Sequence, residues 1–172
     1  MLKLVTKLTA AIAVISIALF GSAHAKTLKI ETHFTASSPN GEVAAQFAKN
    51  VEKFSGGSLK VQMFYSSSVT GKSAEVFNSA QTGIIDCDMT GAGYQTGKNA
   101  AFQFAGDVMG GYDNPYQQYE FLNFPGAQEA VDALYNKYGM TLIGWWIPGH
   151  ESLISSRPIP DVASLKDFKF RS

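Results

Sequence analysis

The sequence predicts an α/β fold, on three observations. Runs at residues 27–32, 59–64 and 84–90 have the composition or alternation of strands. Stretches with an apolar stripe at helical spacing lie among them, and Gly or Pro marks most of the boundaries. Strands alternating with helices imply a largely parallel sheet covered on its faces. With 172 residues and 45% hydrophobic content, the chain is long enough for one globular unit with a real core.

Residues 1–25 have the three parts of a secretory signal. Lys3 and Lys7 form the basic start, Leu8 to Phe20 is apolar, and Ala23-His24-Ala25 is an A-x-A cleavage site. The apolar run is short for a bilayer span, so the segment reads as a cleaved leader, with no membrane insertion after its removal. It holds two of the 14 basic residues and none of the 14 acidic ones, so the remainder carries 12 and 14, a net charge of −2. Such a balance does not favour nucleic acid. Cys87 is the single cysteine, which excludes an internal disulfide and, coming far after the leader, a lipid-anchored start.

Thr27-Leu28-Lys29-Ile30-Glu31-Thr32 alternates as a first strand, and His33-Phe34-Thr35 opens a loop. Ser38-Pro39 is a cap followed by a first-turn proline. Val43, Phe47, Val51 and Phe54 then form a helical stripe, stopped by Gly56-Gly57. Leu59 to Phe64 is the second strand. The run from Ser66 to Ser73 ends like a phosphate-binding loop but lacks the first glycine, so it reads as a loop in which Ser73 caps a helix over 75–81. Ile84 to Thr90 is the third strand, with Cys87 as inert core. Gly91-Ala92-Gly93-Tyr94 follows at its end. Its small residues allow close approach of a ligand or a facing lobe, and Tyr94 is either a hydroxyl donor to a ligand or a packed loop aromatic.

Residues 98–111 have no clear period. Asn114-Pro115 opens a helix carrying Tyr116, Tyr119 and Leu122, and Pro125-Gly126 breaks it. Ala127, Ala130, Val131, Leu134, Tyr135 and Tyr138 mark another, closed by Gly139. Met140 to Ile147 is continuously apolar and reads as a strand buried on both faces, with Trp145 and Trp146 pointing to opposite sides. After the turn at 148–151, residues 152–156 read as a further strand. A proline-marked turn follows Arg157, and Phe168 and Phe170 alternate with Lys169 and Arg171 as a last strand. Arg171 then sits at a strand's carboxyl end, where open α/β sheets bind ligands, with a planar fork suited to a carboxylate.

No catalytic or metal motif is present. His33, His150, Cys87, Asp86 and Asp88 fall at no zinc or calcium spacing, and Asp86 and Asp88 read as capping neighbouring backbone. No cofactor is implied.

The stretch Arg157-Pro158-Ile159, then Ser164-Leu165-Lys166-Asp167-Phe168-Lys169-Phe170-Arg171, resembles the closing motif of the DctP-type substrate-binding proteins of TRAP transporters. Ser55-Gly56-Gly57-Ser58-Leu59-Lys60-Val61 and Thr82-Gly83-Ile84-Ile85-Asp86 resemble the family's turns into its second and third strands. Asp167 stands where the family usually has Gly. The resemblance covers most of residues 26–172. It implies a type II periplasmic binding protein of two lobes closing about a hinge, with this chain an incomplete solute-binding domain holding most of the first lobe and the start of the second. It further implies a non-enzymatic periplasmic receptor that binds a small organic acid and delivers it to the TRAP permease in the membrane. An ABC-type receptor and an exported enzyme on a similar fold are the alternatives.

By the same resemblance the cleft is built from His33, Phe34, Gly91, Tyr94, Trp146, Glu151 and Arg171. Arg171 is the carboxylate anchor. Glu151 departs from the family, several of whose members have Arg or a polar residue there. It pairs with Arg171, receives an ammonium or hydroxyl group of the solute, or is a solvated turn residue. Cleavage after Ala25 leaves Lys26 as the amino terminus, the result expected from mass spectrometry of the exported form. An uncleaved, membrane-held product would contradict the leader.

Overall fold

A computed structural model describes residues 25–106, 108, 111–147 and 154–169. The leader up to residue 24, Glu151 and Arg171 lie outside them. The centre is a parallel sheet in the order β2-β1-β3, with β1 at Lys26–Thr32, β2 at Leu59–Phe64 and β3 at Cys87–Met89. β1 pairs with β2 from Lys26↔Leu59 to Glu31↔Phe64, and with β3 from Ile30↔Cys87 to Thr32↔Met89. Because all three strands run the same way, their carboxyl ends share one edge.

The crossover from β1 to β2 is helix α1, Pro39–Phe54, capped by Ser38 Oγ, which accepts the Gly41 amide at 3.1 Å. Its C-terminal turn uses Gly56 and Gly57 at φ +61° and +82°, a region glycine enters without steric cost. The stripe foreseen through Val43 and Phe54 is not the buried one, since these are 54% and 79% exposed. Gly41 and Ala44 are buried instead. The helix approaches the loop after β1 so closely that small residues must face inward. Glu52 ties its far end to the sheet: one carboxylate oxygen accepts the Val61 amide of edge strand β2 at 2.9 Å, and the other pairs with Lys60 at 3.5 Å.

The return to β3 is short. A 3₁₀ turn, Ser73–Glu75, leads into α2, Val76–Gln81, which ends at Gly83 with φ +77°. Ser73 is not the expected cap. The 3₁₀ turn and α2 have no side-chain cap bond, and the Ser73 hydroxyl lies 3.4 Å from that of Ser67. β3 is also shorter than the run 84–90. The Asp86 carboxylate accepts the Lys29 amide at 2.8 Å, and the Asp86 amide donates to Lys29 O at 2.8 Å. This side chain stands in for a backbone carbonyl and ends the ladder, a capping role of the kind expected for it.

Beyond the sheet, Ala100–Phe104 is a 3₁₀ turn, and helices α3, Pro115–Asn123, and α4, Pro125–Asn136, follow. Asn114 Oδ1 caps α3 by accepting the amides of Tyr116 and Gln117. The core outside the sheet is aromatic. Phe77 and Phe102 are fully buried with ring centres 5.8 Å apart, edge to face, and Tyr135 and Tyr138 pack on both within 6.0 Å.

The expected strand at 140–147 is absent. Those residues are neither helix nor strand, and the Leu142 amide donates to Asp132 Oδ1 of α4 at 3.1 Å rather than to a sheet. Met140, Leu142 and Trp145 pack on the core cluster, so burial on a helical layer accounts for the apolar run. Residues 154–156 and 168–169 likewise lie in no strand, and the rest of those two expected strands falls outside the described residues. Phe168 is covered by the Arg157 guanidinium, 4.5 Å from its ring centre. Asp167 has φ +58°, so the residue that replaces the family's glycine keeps a left-handed backbone, one that Asp tolerates better than most residues. Cys87 is half-buried and its thiol pKa is raised, first by burial and next by the Asp86 charge, which agrees with an inert role.

A Cβ on Gly41 would run into the backbone carbonyl of Thr35, which cannot move without displacing the loop after β1. Gly41→Ala is therefore expected to destabilise the fold by about 1–3 kcal/mol despite its better helix propensity. Denaturant titration measures this, and an unchanged or raised midpoint would contradict the packing.

Candidate functional site

Each parallel strand delivers a loop to the same edge. β1 leads into His33 and Phe34, β2 into the loop 65–72, and β3 into Gly91 and a 3₁₀ turn, Ala92–Gln95, that carries Tyr94. Backbone bonds fasten the first two loops together: Ser66 donates to Phe34 O at 2.9 Å and Ser67 to Thr32 O at 3.1 Å. Ser66 and Ser67 both adopt left-handed backbone, φ +56° and +50°, to make that turn. Gln95, 2% exposed, ties the third loop to the 3₁₀ turn that follows the second through its side-chain amide, which donates to Ala74 O at 3.3 Å.

The aromatic side chains at this edge meet. The His33 ring lies 3.9 Å from that of Phe34, centre to centre, and 5.4 Å from that of Tyr94 in an edge-on arrangement. Phe34 in turn lies 5.0 Å from Trp146. Trp146 reaches this group because its neighbour Trp145 turns the other way and packs on the core, the opposition expected of consecutive residues in an extended segment. Residues far apart in sequence thus form one aromatic wall, with Tyr94 still 46% exposed.

The polar groups of the wall are few. His33 Nδ1 is buried without a hydrogen-bond partner among the described residues, and burial lowers the His33 pKa, which favours the neutral ring near pH 7. A neutral imidazole has one donor and one acceptor nitrogen, so it can meet either a hydroxyl or a carboxylate. A Cβ on Gly91 would meet the Tyr94 ring only at 3.9 Å, an ordinary contact, so local packing does not demand glycine there. Among the described residues no three His, Cys, Asp or Glu side chains are grouped to hold a metal ion, and no helix is long and apolar enough to cross a membrane.

Of the seven site residues read from the sequence, the structure brings together His33, Phe34, Tyr94 and Trp146 and places Gly91 beside Tyr94. Sequence reasoning passed over Glu31. It lies in the central strand with 0% exposure, and its Oε1 accepts the amides of Val69 at 2.6 Å and Thr70 at 3.4 Å. In the alternating run Thr27-Leu28-Lys29-Ile30-Glu31-Thr32 it falls in the polar set with Thr27 and Lys29, so the sequence carried no local signal for its burial.

No curated protein matches the chain. Solved structures do. A TRAP periplasmic solute-binding protein from Rhodobacter sphaeroides, in an open form without ligand, is 25% identical with a TM-score of 0.64, over 69% of this chain and 37% of that one. One from Pseudoalteromonas atlantica with bound sodium and pyruvate is 20% identical, TM-score 0.61, over 66% and 34%. A Bordetella pertussis extracytoplasmic solute receptor binding pyroglutamic acid is 20% identical, TM-score 0.57, over 69% and 38%. The matches thus span well under half of each of these proteins. The model of the bacterial extracellular solute-binding proteins of family 7, DctP, matches residues 30–172, and the chain belongs to that family.

Proposed function

We propose that the whole protein is a periplasmic receptor that captures a small organic acid and passes it to a TRAP permease in the membrane for uptake driven by an ion gradient. The observation that carries this reading is the convergence of His33, Phe34, Tyr94 and Trp146 at the carboxyl edge of a parallel sheet. An apolar wall with few polar groups suits a small solute whose charge is met elsewhere. Family membership and the pyruvate and pyroglutamic acid held by relatives point to a carboxylate.

In this reading Arg171 supplies the charge. Its guanidinium holds the carboxylate with two parallel hydrogen bonds, Glu151 selects among solutes by its own charge, and Gly91 leaves room beside Tyr94. The two lobes close over the solute without chemical turnover, so no residue is assigned a catalytic role. Residues 1–25 direct export and are removed after Ala25, which puts the receptor in the periplasm, free of the bilayer.

Calorimetric titration of the whole protein with pyruvate and with pyroglutamate tests the anchor. Arg171→Lys keeps the charge and loses the fork, a cost of about 1.5–3 kcal/mol, or roughly ten- to a hundredfold in affinity. Arg171→Ala is expected to cost more, because the carboxylate is left buried without a partner. Equal affinities in all three proteins, or no binding of a carboxylate to the wild type, would contradict the reading.

A further inference from the structure

Glu31 is an unusual residue for the middle strand of a sheet. It is 0% exposed, and a carboxylate so placed costs stability unless both oxygens find donors. Among the described residues only one of them does. Oε1 accepts the amides of Val69 at 2.6 Å and Thr70 at 3.4 Å, while Oε2 has no hydrogen-bond partner. An apolar side chain of similar size fills such a place without that cost, so the return lies in what Oε1 holds.

The two amides belong to one turn of the loop 65–72, closed by the Gly71 amide, which donates to Ser67 O at 2.6 Å. As in the first turn of a helix, amides inside it have no acceptor within the turn, and Glu31 supplies one from β1. The turn starts from Ser66 and Ser67, both in left-handed backbone. That region is costly for any residue but glycine and persists only where the surroundings enforce it. Here the Ser67 amide donates to Thr32 O at 3.1 Å and the Ser66 amide to Phe34 O at 2.9 Å. The two strained residues therefore hold the backbone on either side of His33. The Thr32 hydroxyl closes the same bracket by accepting the Phe34 amide at 3.4 Å.

We propose that Glu31 is a positioning residue of the binding edge: by capping the turn from within the sheet it keeps Ser66 and Ser67 in left-handed backbone, and through them it fixes His33 for the solute. The role in binding rests on the reading of this edge as the solute site. The tie from Glu31 through the turn to His33 needs no solute and is tested without one. When the carboxylate is lost, Val69 and Thr70 turn their amides to water, the Ser66–Ser67 backbone relaxes, and His33 loosens. The strand pairing of β1 and the aromatic core stay as they are, since neither uses these bonds.

The test uses the whole protein as wild type, Glu31→Gln, Glu31→Leu, and Glu31→Leu combined with Ser66→Gly and Ser67→Gly. Without solute, amide hydrogen exchange reads the turn and the NMR signals of the His33 ring read its position. Val69 is 41% exposed, yet its wild-type amide is expected to exchange about tenfold or more slower than an unbonded loop amide. Exchange at the open-loop rate overturns the proposal with no variant needed. Glu31→Gln keeps an oxygen for that amide, so slow exchange and the His33 signals are retained, and their loss counts against the proposal. Glu31→Leu fills the space without an acceptor, so exchange at Val69 is expected to rise about tenfold or more relative to β1 and α1, and the His33 signals to move. Glycine enters left-handed backbone without steric cost, so the combined variant regains part of the wild-type His33 signals, which a general packing loss does not allow. Titration with pyruvate and with pyroglutamate reads the function. Affinity is expected to fall about tenfold or more in Glu31→Leu and to stay within about threefold of wild type in Glu31→Gln. Wild-type binding with equal affinity in Glu31→Leu overturns the positioning role. No binding of either acid by the wild type contradicts the solute site instead, and exchange with the His33 signals then decides the tie. If Glu31→Leu does not fold, wild-type exchange and Glu31→Gln decide alone.

Discussion

The structure depends on the parallel pairing of β1 with a strand on each side. Parallel strands cannot be joined by tight hairpins, so the chain must cross over a face of the sheet and return to the same starting end. α1 makes the first crossover, and the 3₁₀ turn with α2 makes the second. The loops leaving β1, β2 and β3 then have no choice but to gather at one edge. His33, Phe34, Gly91 and Tyr94 are neighbours for that reason, although the first and the last lie 61 positions apart in the sequence. The pairing also buries Ile30, Glu31 and Thr32, so the central strand takes its polar partners from the loops themselves.

That exchange of partners makes the edge a built structure rather than three independent loops. Backbone carbonyls of Thr32 and Phe34 hold Ser67 and Ser66, Glu31 holds Val69 and Thr70, and Gln95 reaches Ala74. Aromatic contacts of the kind joining His33, Phe34, Tyr94 and Trp146 contribute about 0.5–1.5 kcal/mol each beyond the area they bury. The buried acceptors cost more if left empty than the ring contacts return, so the polar ties set the loop positions and the rings line the result. Such preorganisation reduces the entropy lost when a solute binds.

Much of this was legible in the sequence where a local rule has one dominant outcome. Ser38-Pro39, Asn114-Pro115 and the glycines at 56, 57, 83 and 139 marked helix ends because capping and left-handed backbone are local matters. The family resemblance named the aromatic residues of the edge, and His33, Phe34, Tyr94 and Trp146 do meet, although the strand expected to lead to Trp146 is absent. What escaped was decided by distant partners. Residues 140–147 have a strand's composition but rest on a helical layer, and composition cannot name the surface that buries it. The helix stripe shifted from Val43 to Gly41 because Thr35 approaches from outside the helix. Ser73 was taken by Ser67, and Glu31 was invisible because its partners lie nearly forty residues away.

The central claim is that this edge receives a small carboxylate. Thermal denaturation of the whole protein against a panel of organic acids, with uncharged sugars of similar size alongside, tests it most directly. A ligand that binds only the folded state raises the melting temperature with concentration, by about 2.7 kcal/mol of stability at a hundredfold excess over its Kd. The account predicts such a rise for at least one small carboxylate and none for the uncharged sugars. A rise with an uncharged sugar, and none with any acid, would contradict it.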